Sequence, residues 1–193
     1  MRLYDFFRSG TSHRLRIALN LKGLAYEQVA IDLRSEQHLR DEFRAIHPQG
    51  FVPVLEVGDQ RYIQSPAIIE WLEERYPQPA LLPSHADDRA YVRSLAALIG
   101  CDIHPLNNRR VLEYLRKPLS VAEPQVTQWC QTWIDSGFTA LEQVLRTDRR
   151  RGRFCFGDAP TVADVYLIPQ IESARRFQVD LSRYPTIMAI DAA

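Results

Sequence analysis

Pro77, Pro79 and Pro83 crowd one short stretch of this 193-residue chain. Each proline locks φ and lacks an amide donor, so neither a helix nor a central strand runs through such a density. The chain must therefore fold on two sides of the stretch, and the predicted domains are residues 1–78 and 84–193. The two sides differ in pattern. Before the prolines, strand-like and helix-like runs alternate, as in an α/β unit. After them, the apolar spacing is helical throughout.

In the first part, Leu3–Phe7 reads as a strand, with Tyr4, Phe6 and Phe7 in its core. Ser12–Lys22 reads as a helix closed by Gly23. Tyr26–Ile31 reads as a second strand, and Glu36–Ile46 as a polar helix or irregular segment ended by His47-Pro48. Val52–Val57 and Arg61–Gln64 flank Gly58-Asp59, a hairpin signal. Ser65 caps a helix that has Pro66 at its first position and runs to about Tyr76. In the second part, Asp87–Tyr114 carries Leu95, Leu98, Ile99, Ile103 and Leu106 at helical spacing, with a kink expected at Pro105. Pro124–Leu145 and Thr161–Ala174 are further helices, and Pro185 opens a last one. Thr161 and Asp164 form a capping box with Asp in place of Glu. The Arg149-Arg150-Arg151 run reads as a solvated loop.

Apolar residues make up 46% of the chain, enough for a real core. Twenty-four basic residues balance 24 acidic ones, so no global charge draws the chain to nucleic acid or an anionic membrane. No long apolar run predicts a transmembrane helix, and the N-terminus begins as a strand rather than a signal peptide. The three cysteines are scattered and make no disulfide framework, which points to the cytoplasm. Neither they nor the five histidines have metal-ligand spacing, so no metal is expected.

Three places carry candidate chemistry. The turn Arg8-Ser9-Gly10-Thr11-Ser12 brings hydroxyls, free N–H groups and a positive charge to a helix start, where an anion is favoured. A carboxylate, a phosphate or a thiolate would each suit it. Val52-Pro53-Val54 puts proline in an apolar strand. A cis bond there would expose the Val52 N–H and C=O to a ligand; the alternative is an ordinary edge-strand proline. Gln64-Ser65-Pro66 is a second helix start able to hold an anion. Two such starts and one special proline on a small α/β unit suggest a peptide-like ligand with several carboxylates.

These residues carry a resemblance. Phe7-Arg8-Ser9, Ser12, Arg14, Arg16-Ile17-Ala18-Leu19, Val52-Pro53, Gln64-Ser65 and Gly157-Asp158 with Thr161, Ala163 and Asp164 resemble the zeta class of glutathione transferases over essentially the whole chain. The segment from Gly100 to Arg110 brings it nearest to that class's maleyl isomerases. The resemblance implies a thioredoxin-like N-terminal domain, an all-helical C-terminal domain, glutathione as cofactor and a homodimer. Members usually run past the position of Ala193, so a longer tail is expected. The class's usual Ser-Ser-Cys-Ser stands here as Ser9, Gly10, Thr11 and Ser12. Thr11 can donate a hydrogen bond but cannot serve as a thiol.

The implied reaction converts maleylpyruvate to fumarylpyruvate. Maleylacetoacetate is the alternative substrate, and a conjugating transferase or a non-catalytic glutathione-binding module are the alternative functions. Even a peptide C–N bond resists rotation by about 18–20 kcal/mol, and a full C=C resists far more. Adding a thiolate, rotating and eliminating it avoids that barrier. A free thiol has a pKa of roughly 8.5, so it needs donors and positive charge to ionise at neutral pH. Ser9 and Thr11 are the candidate donors, Thr11 first, with Arg8 beside them. Attack pushes charge onto the conjugated carbonyl, and the resemblance points to Arg176 as the enolate partner. Arg8 and Arg110 suit the carboxylate ends, with His104 and Arg109 on the same turn as Arg110. For glutathione, the resemblance implies Val52 at the cysteinyl backbone and Gln64 and Ser65 at the γ-glutamyl end. His38 falls at the glycyl end and Asn108 over the tripeptide.

Overall fold

Leu3 and Tyr4 are neighbours in the chain and serve opposite faces of one sheet, because strand side chains alternate. The computed structural model describes residues 1–193, which divide into units 1–81 and 82–193. The first unit holds strands β1 (Arg2–Asp5), β2 (Glu27–Ala30), β3 (Val54–Val57) and β4 (Gln60–Ile63) in the order β2-β1-β3-β4. β1 runs parallel to β2 and antiparallel to β3, and β3 runs antiparallel to β4. The register sets Leu3 against Leu55 and Tyr4 against Val54. Tyr4 and Val54 join Ile31, Phe43 and Val52 in a buried cluster, Phe43 coming from the short helix α2 (Asp41–Arg44). Leu3 and Leu55 face the other way by alternation. On that unit's helices α1 (Gly10–Leu21) and α3 (Ser65–Arg75), Leu15, Ala18, Leu19, Ile68, Ile69 and Leu72 are buried and spaced to form one stripe each.

Phe7 departs from its expected place in the core and is 60% exposed. β1 stops at Asp5, and the Ser9 N–H donates to the Phe6 carbonyl (2.9 Å), which turns the chain before Phe7 can enter the sheet. The hairpin forms as expected, with Gly58 at φ 59°, the left-handed conformation its turn requires.

The proline stretch is irregular yet anchored. Lys22 at the end of α1 is buried, and its Nζ donates to the carbonyls of Tyr76 (2.7 Å) and Pro79 (2.8 Å) and pairs with Glu73 (2.8 Å). Glu73 in turn accepts the Leu81 N–H at 3.1 Å.

The second unit is helical, with α4 (Ala86–Ala97), α5 (Arg109–Arg116), α6 (Glu123–Thr147), α7 (Val162–Arg176) and α8 (Pro185–Asp191). Along α6, Val126, Cys130, Ile134, Phe138, Leu141 and Leu145 recur every three or four residues, and all are fully buried. Burying side chains of this size stabilises by roughly 1.5–3 kcal/mol each. The helix expected from Asp87 to Tyr114 is broken rather than kinked. A π-helical turn (Leu98–Ile103) and a 3₁₀ turn (His104–Asn107) separate α4 from α5. Pro105 lacks the amide donor a continuing helix needs, and α6 packs closely against the broken segment. A Cβ at Gly137 of α6 would stand 2.3 Å from the Ile103 side chain, and the Trp129 indole N–H donates to the Leu106 carbonyl (2.7 Å). Arg150 is not simply solvated, since it pairs with Asp148 (2.7 Å) and Asp88 (3.2 Å) and lies 3.8 Å over the Tyr91 ring. The Thr161–Asp164 box forms, and Asp164 also accepts the Cys155 N–H at 2.9 Å. No helix is long and apolar enough to cross a membrane.

Candidate functional site

The β1–α1 turn orders two hydroxyls. Ser9, not Ser12, caps α1: its φ of −76° and ψ of 121° lie outside the helix, and its Oγ accepts the Ser12 N–H (3.2 Å). Thr11 Oγ1 lies 2.9 Å from Ser9 Oγ and donates to the Val52 carbonyl at 2.9 Å. A hydroxyl carries one proton. Thr11 has placed its own on Val52, so Ser9 must be the donor between the two oxygens. The order is therefore Ser12 N–H to Ser9, Ser9 O–H to Thr11, Thr11 O–H to Val52 C=O. The Val52–Pro53 bond is cis, and Val52 is buried.

Asp5, which the sequence did not single out, and Arg16, marked only within the family motif, hold this turn. The Arg16 guanidinium donates to the Phe7 carbonyl (3.0 Å) and pairs with Asp5, which is 1% exposed and also accepts Gln28 Nε2 (2.9 Å). A carboxylate at the inner end of an apolar strand was the available signal, since such a charge needs a buried partner. Arg8 follows the pinned carbonyl and is exposed.

A second group surrounds the 47–50 loop. Gln64, at φ 69°, is the residue that caps α3, and buried Ser65 is the first helical residue rather than the cap. The Gln64 amide donates to Gln49 Oε1 (3.1 Å), and the Gln49 N–H donates to His47 Nδ1 (3.2 Å). His38 also borders the loop: a Cβ on Gly50 would come 2.5 Å from the His38 carbonyl. His38 is buried. In the first unit, then, His38 and Gln64 both border the 47–50 loop, and Thr11 is hydrogen-bonded to Val52 just beyond it.

In the second unit, Asn108 caps α5 by accepting the Arg110 N–H (3.1 Å). Arg109 and Arg110 occupy the first turn of that helix. A helix N-terminus repels cations, so two arginines there are poorly placed for stability and well placed to share an anion with the helix. His104 opens the preceding 3₁₀ turn. Arg176 lies exposed in the last turn of α7. Its neighbour Arg175 pairs with Glu172 and Asp191, which answers its charge locally. The buried thiols are poor nucleophiles: burial pushes Cys130 up to about 11 and Cys155 well above the ordinary range.

Residues 3–80 match the family model of the glutathione S-transferase N-terminal domain, and residues 123–189 that of its C-terminal domain. The maleylpyruvate isomerase of a Ralstonia species is 64% identical over 193 residues, covering 100% of this chain and 91% of that protein. A holo structure of maleyl pyruvate isomerase, a bacterial glutathione S-transferase in the zeta class, is 64% identical with a TM-score of 0.98, over 100% of this chain and 91% of its own. A maleylacetoacetate isomerase from Anaeromyxobacter dehalogenans 2CP-1, solved with dicarboxyethyl glutathione and citrate in its active site, is 44% identical with a TM-score of 0.86, over 99% of this chain and 84% of its own.

Proposed function

This chain belongs to the glutathione S-transferase family, in its zeta class, and we propose that it isomerises maleylpyruvate to fumarylpyruvate with glutathione as a catalytic cofactor. Its first unit is the thioredoxin-like domain of that family and its second the helical one. The full-length identity to the Ralstonia enzyme carries the substrate assignment.

The residues of the first unit suit a tripeptide thiol. The Val52 carbonyl bonds to a side-chain hydroxyl, which a ligand amide can replace. Gln64 and Ser65 stand at the N-terminus of α3, where a carboxylate is favoured. The His38 backbone borders the 47–50 loop, whose Gln49 accepts from Gln64. When bound, glutathione supplies the sulfur nucleophile that adds to the double bond and later leaves. Thr11, with Ser9 hydrogen-bonded behind it, stabilises the ionised sulfur by donating a hydrogen bond, helped by the α1 N-terminus and Arg8.

The cationic residues answer the substrate's charge. Arg8 and Arg110 hold its carboxylate ends, and His104 and Arg109 border the same turn as Arg110. Arg176 is the partner for the conjugated carbonyl oxygen, where negative charge grows only as the reaction proceeds. A donor of this kind lowers the barrier more than it tightens ground-state binding. The protein acts as a homodimer in the cytoplasm; its three free cysteines suit a reducing compartment.

The Anaeromyxobacter relative supports a second reading, in which maleylacetoacetate is the substrate. Measuring kcat/KM for both compounds at saturating glutathione separates the two. Preference for maleylpyruvate is expected, and preference for maleylacetoacetate overturns the assignment.

A further inference from the structure

The hydroxyl order at the β1–α1 turn creates a problem for thiol activation. Both protons are engaged: Ser9 donates to Thr11, and Thr11 donates to the buried Val52 carbonyl. A thiolate arriving at this turn finds neither hydroxyl free. One must turn away from its present acceptor, and the two choices differ. If Ser9 turns, it keeps the Ser12 N–H behind it, but Thr11 loses its incoming hydrogen bond and the relay toward the sulfur is one bond shorter. If Thr11 turns, Ser9 still accepts from the Ser12 N–H and still donates to Thr11, so the chain stays ordered and each bond polarises the next. The cost of the second choice falls on Val52, whose buried carbonyl would be left without a partner.

We propose that glutathione activation is a donor exchange: the ligand's cysteinyl amide N–H takes over the Val52 carbonyl, and the released Thr11 hydroxyl turns to the sulfur. Val52 keeps a donor, Thr11 keeps an acceptor, and the thiol proton passes to solvent. Thr11 then discriminates between thiols. A peptide thiol brings the amide that frees it, whereas a thiol lacking that N–H leaves Thr11 on Val52 and is not activated by it. The proposal rests on glutathione being the cofactor.

The test reads the pKa of the bound thiol from the pH dependence of thiolate ultraviolet absorbance, with binding followed separately by calorimetry. The probes are glutathione and its ester analogue, in which oxygen replaces the cysteinyl N–H. Thr11→Val is expected to raise the thiol pKa of bound glutathione by about one unit, the effect of losing one hydrogen bond to a charged acceptor. Thr11→Ser should restore it. The ester bound to the wild-type protein should show the higher value already, and Thr11→Val should not raise it further. The exchange is overturned if the wild-type protein lowers the ester's pKa as far as glutathione's. It is equally overturned if Thr11→Val leaves the value for glutathione unchanged. Should the ester bind too weakly to read, the Thr11→Val result decides alone. Absence of glutathione binding in calorimetry instead overturns the cofactor assignment itself.

Discussion

Replacing Lys22 with methionine tests the anchoring of the proline stretch. The side chain is fully buried, and its ammonium makes three contacts: Tyr76 C=O, Pro79 C=O and Glu73. Methionine fills most of the volume and keeps the apolar stem, so packing changes little. What it leaves is the Glu73 carboxylate, 8% exposed and without its cation, beside two carbonyls that have lost a donor. Breaking one side of a buried ion pair costs about 3–5 kcal/mol. Against a total stability of about 5–15 kcal/mol this is a large fraction. Urea unfolding, followed by fluorescence of Trp71, which stacks on Tyr62 in the first unit, reads the loss. The double variant Lys22→Met, Glu73→Gln should recover part of it, because the remaining amide is neutral and its oxygen still accepts the Leu81 N–H. A loss under about 1 kcal/mol for Lys22→Met, the value of an exposed pair, would refute the reasoning.

Further predictions follow from other parts of the molecule. Gly137→Ala should lower the melting temperature in calorimetry, since the new Cβ meets Ile103 at 2.3 Å. Overpacking costs about 1–3 kcal/mol, and the gain in helix propensity of about 1 kcal/mol works against it, so an unchanged or raised value contradicts the close approach. Burial lowers the pKa of His47, so the unfolded chain binds a proton that the folded chain resists. Stability should therefore fall as pH drops below the ordinary histidine value, and urea titrations of His47→Gln should show a flatter dependence there; an identical slope contradicts the assignment. Arg176→Ala should reduce kcat by about 10²-fold with a smaller change in KM, and a pure rise in KM would mean that it only holds the ground state.

The elements legible in the sequence were those whose signal is local. The Gly58 hairpin follows from two short runs and one turn, and α6 follows from its apolar spacing. The break at Leu98–Asn107 was legible only as a kink at Pro105, because Leu95, Leu98, Ile99 and Ile103 suit an uninterrupted helix. Its extent is set together with Gly137 and Trp129 of α6, which pack against it from a later part of the chain. The proline stretch announced irregular backbone, and nothing near it revealed that Lys22 and Glu73 would anchor it. The same division holds at the site. Ser9, Thr11 and Ser65 were marked by their places at helix starts. The direction of the hydroxyl chain depends on Val52 arriving from a distant segment, and the pinning of the turn on a buried Asp5–Arg16 pair. Arg109 and Arg110 stood out less by pattern than by resemblance, since an arginine near a helix end is usually a surface residue.

The central claim is that glutathione acts as a catalyst and is returned on every turnover. The direct measurement mixes the protein with maleylpyruvate and a small fraction of an equivalent of glutathione, and follows fumarylpyruvate to completion. Full conversion with the glutathione recovered intact is the predicted result. Conversion that stops once the glutathione has been consumed would contradict the claim and make the protein a conjugating transferase.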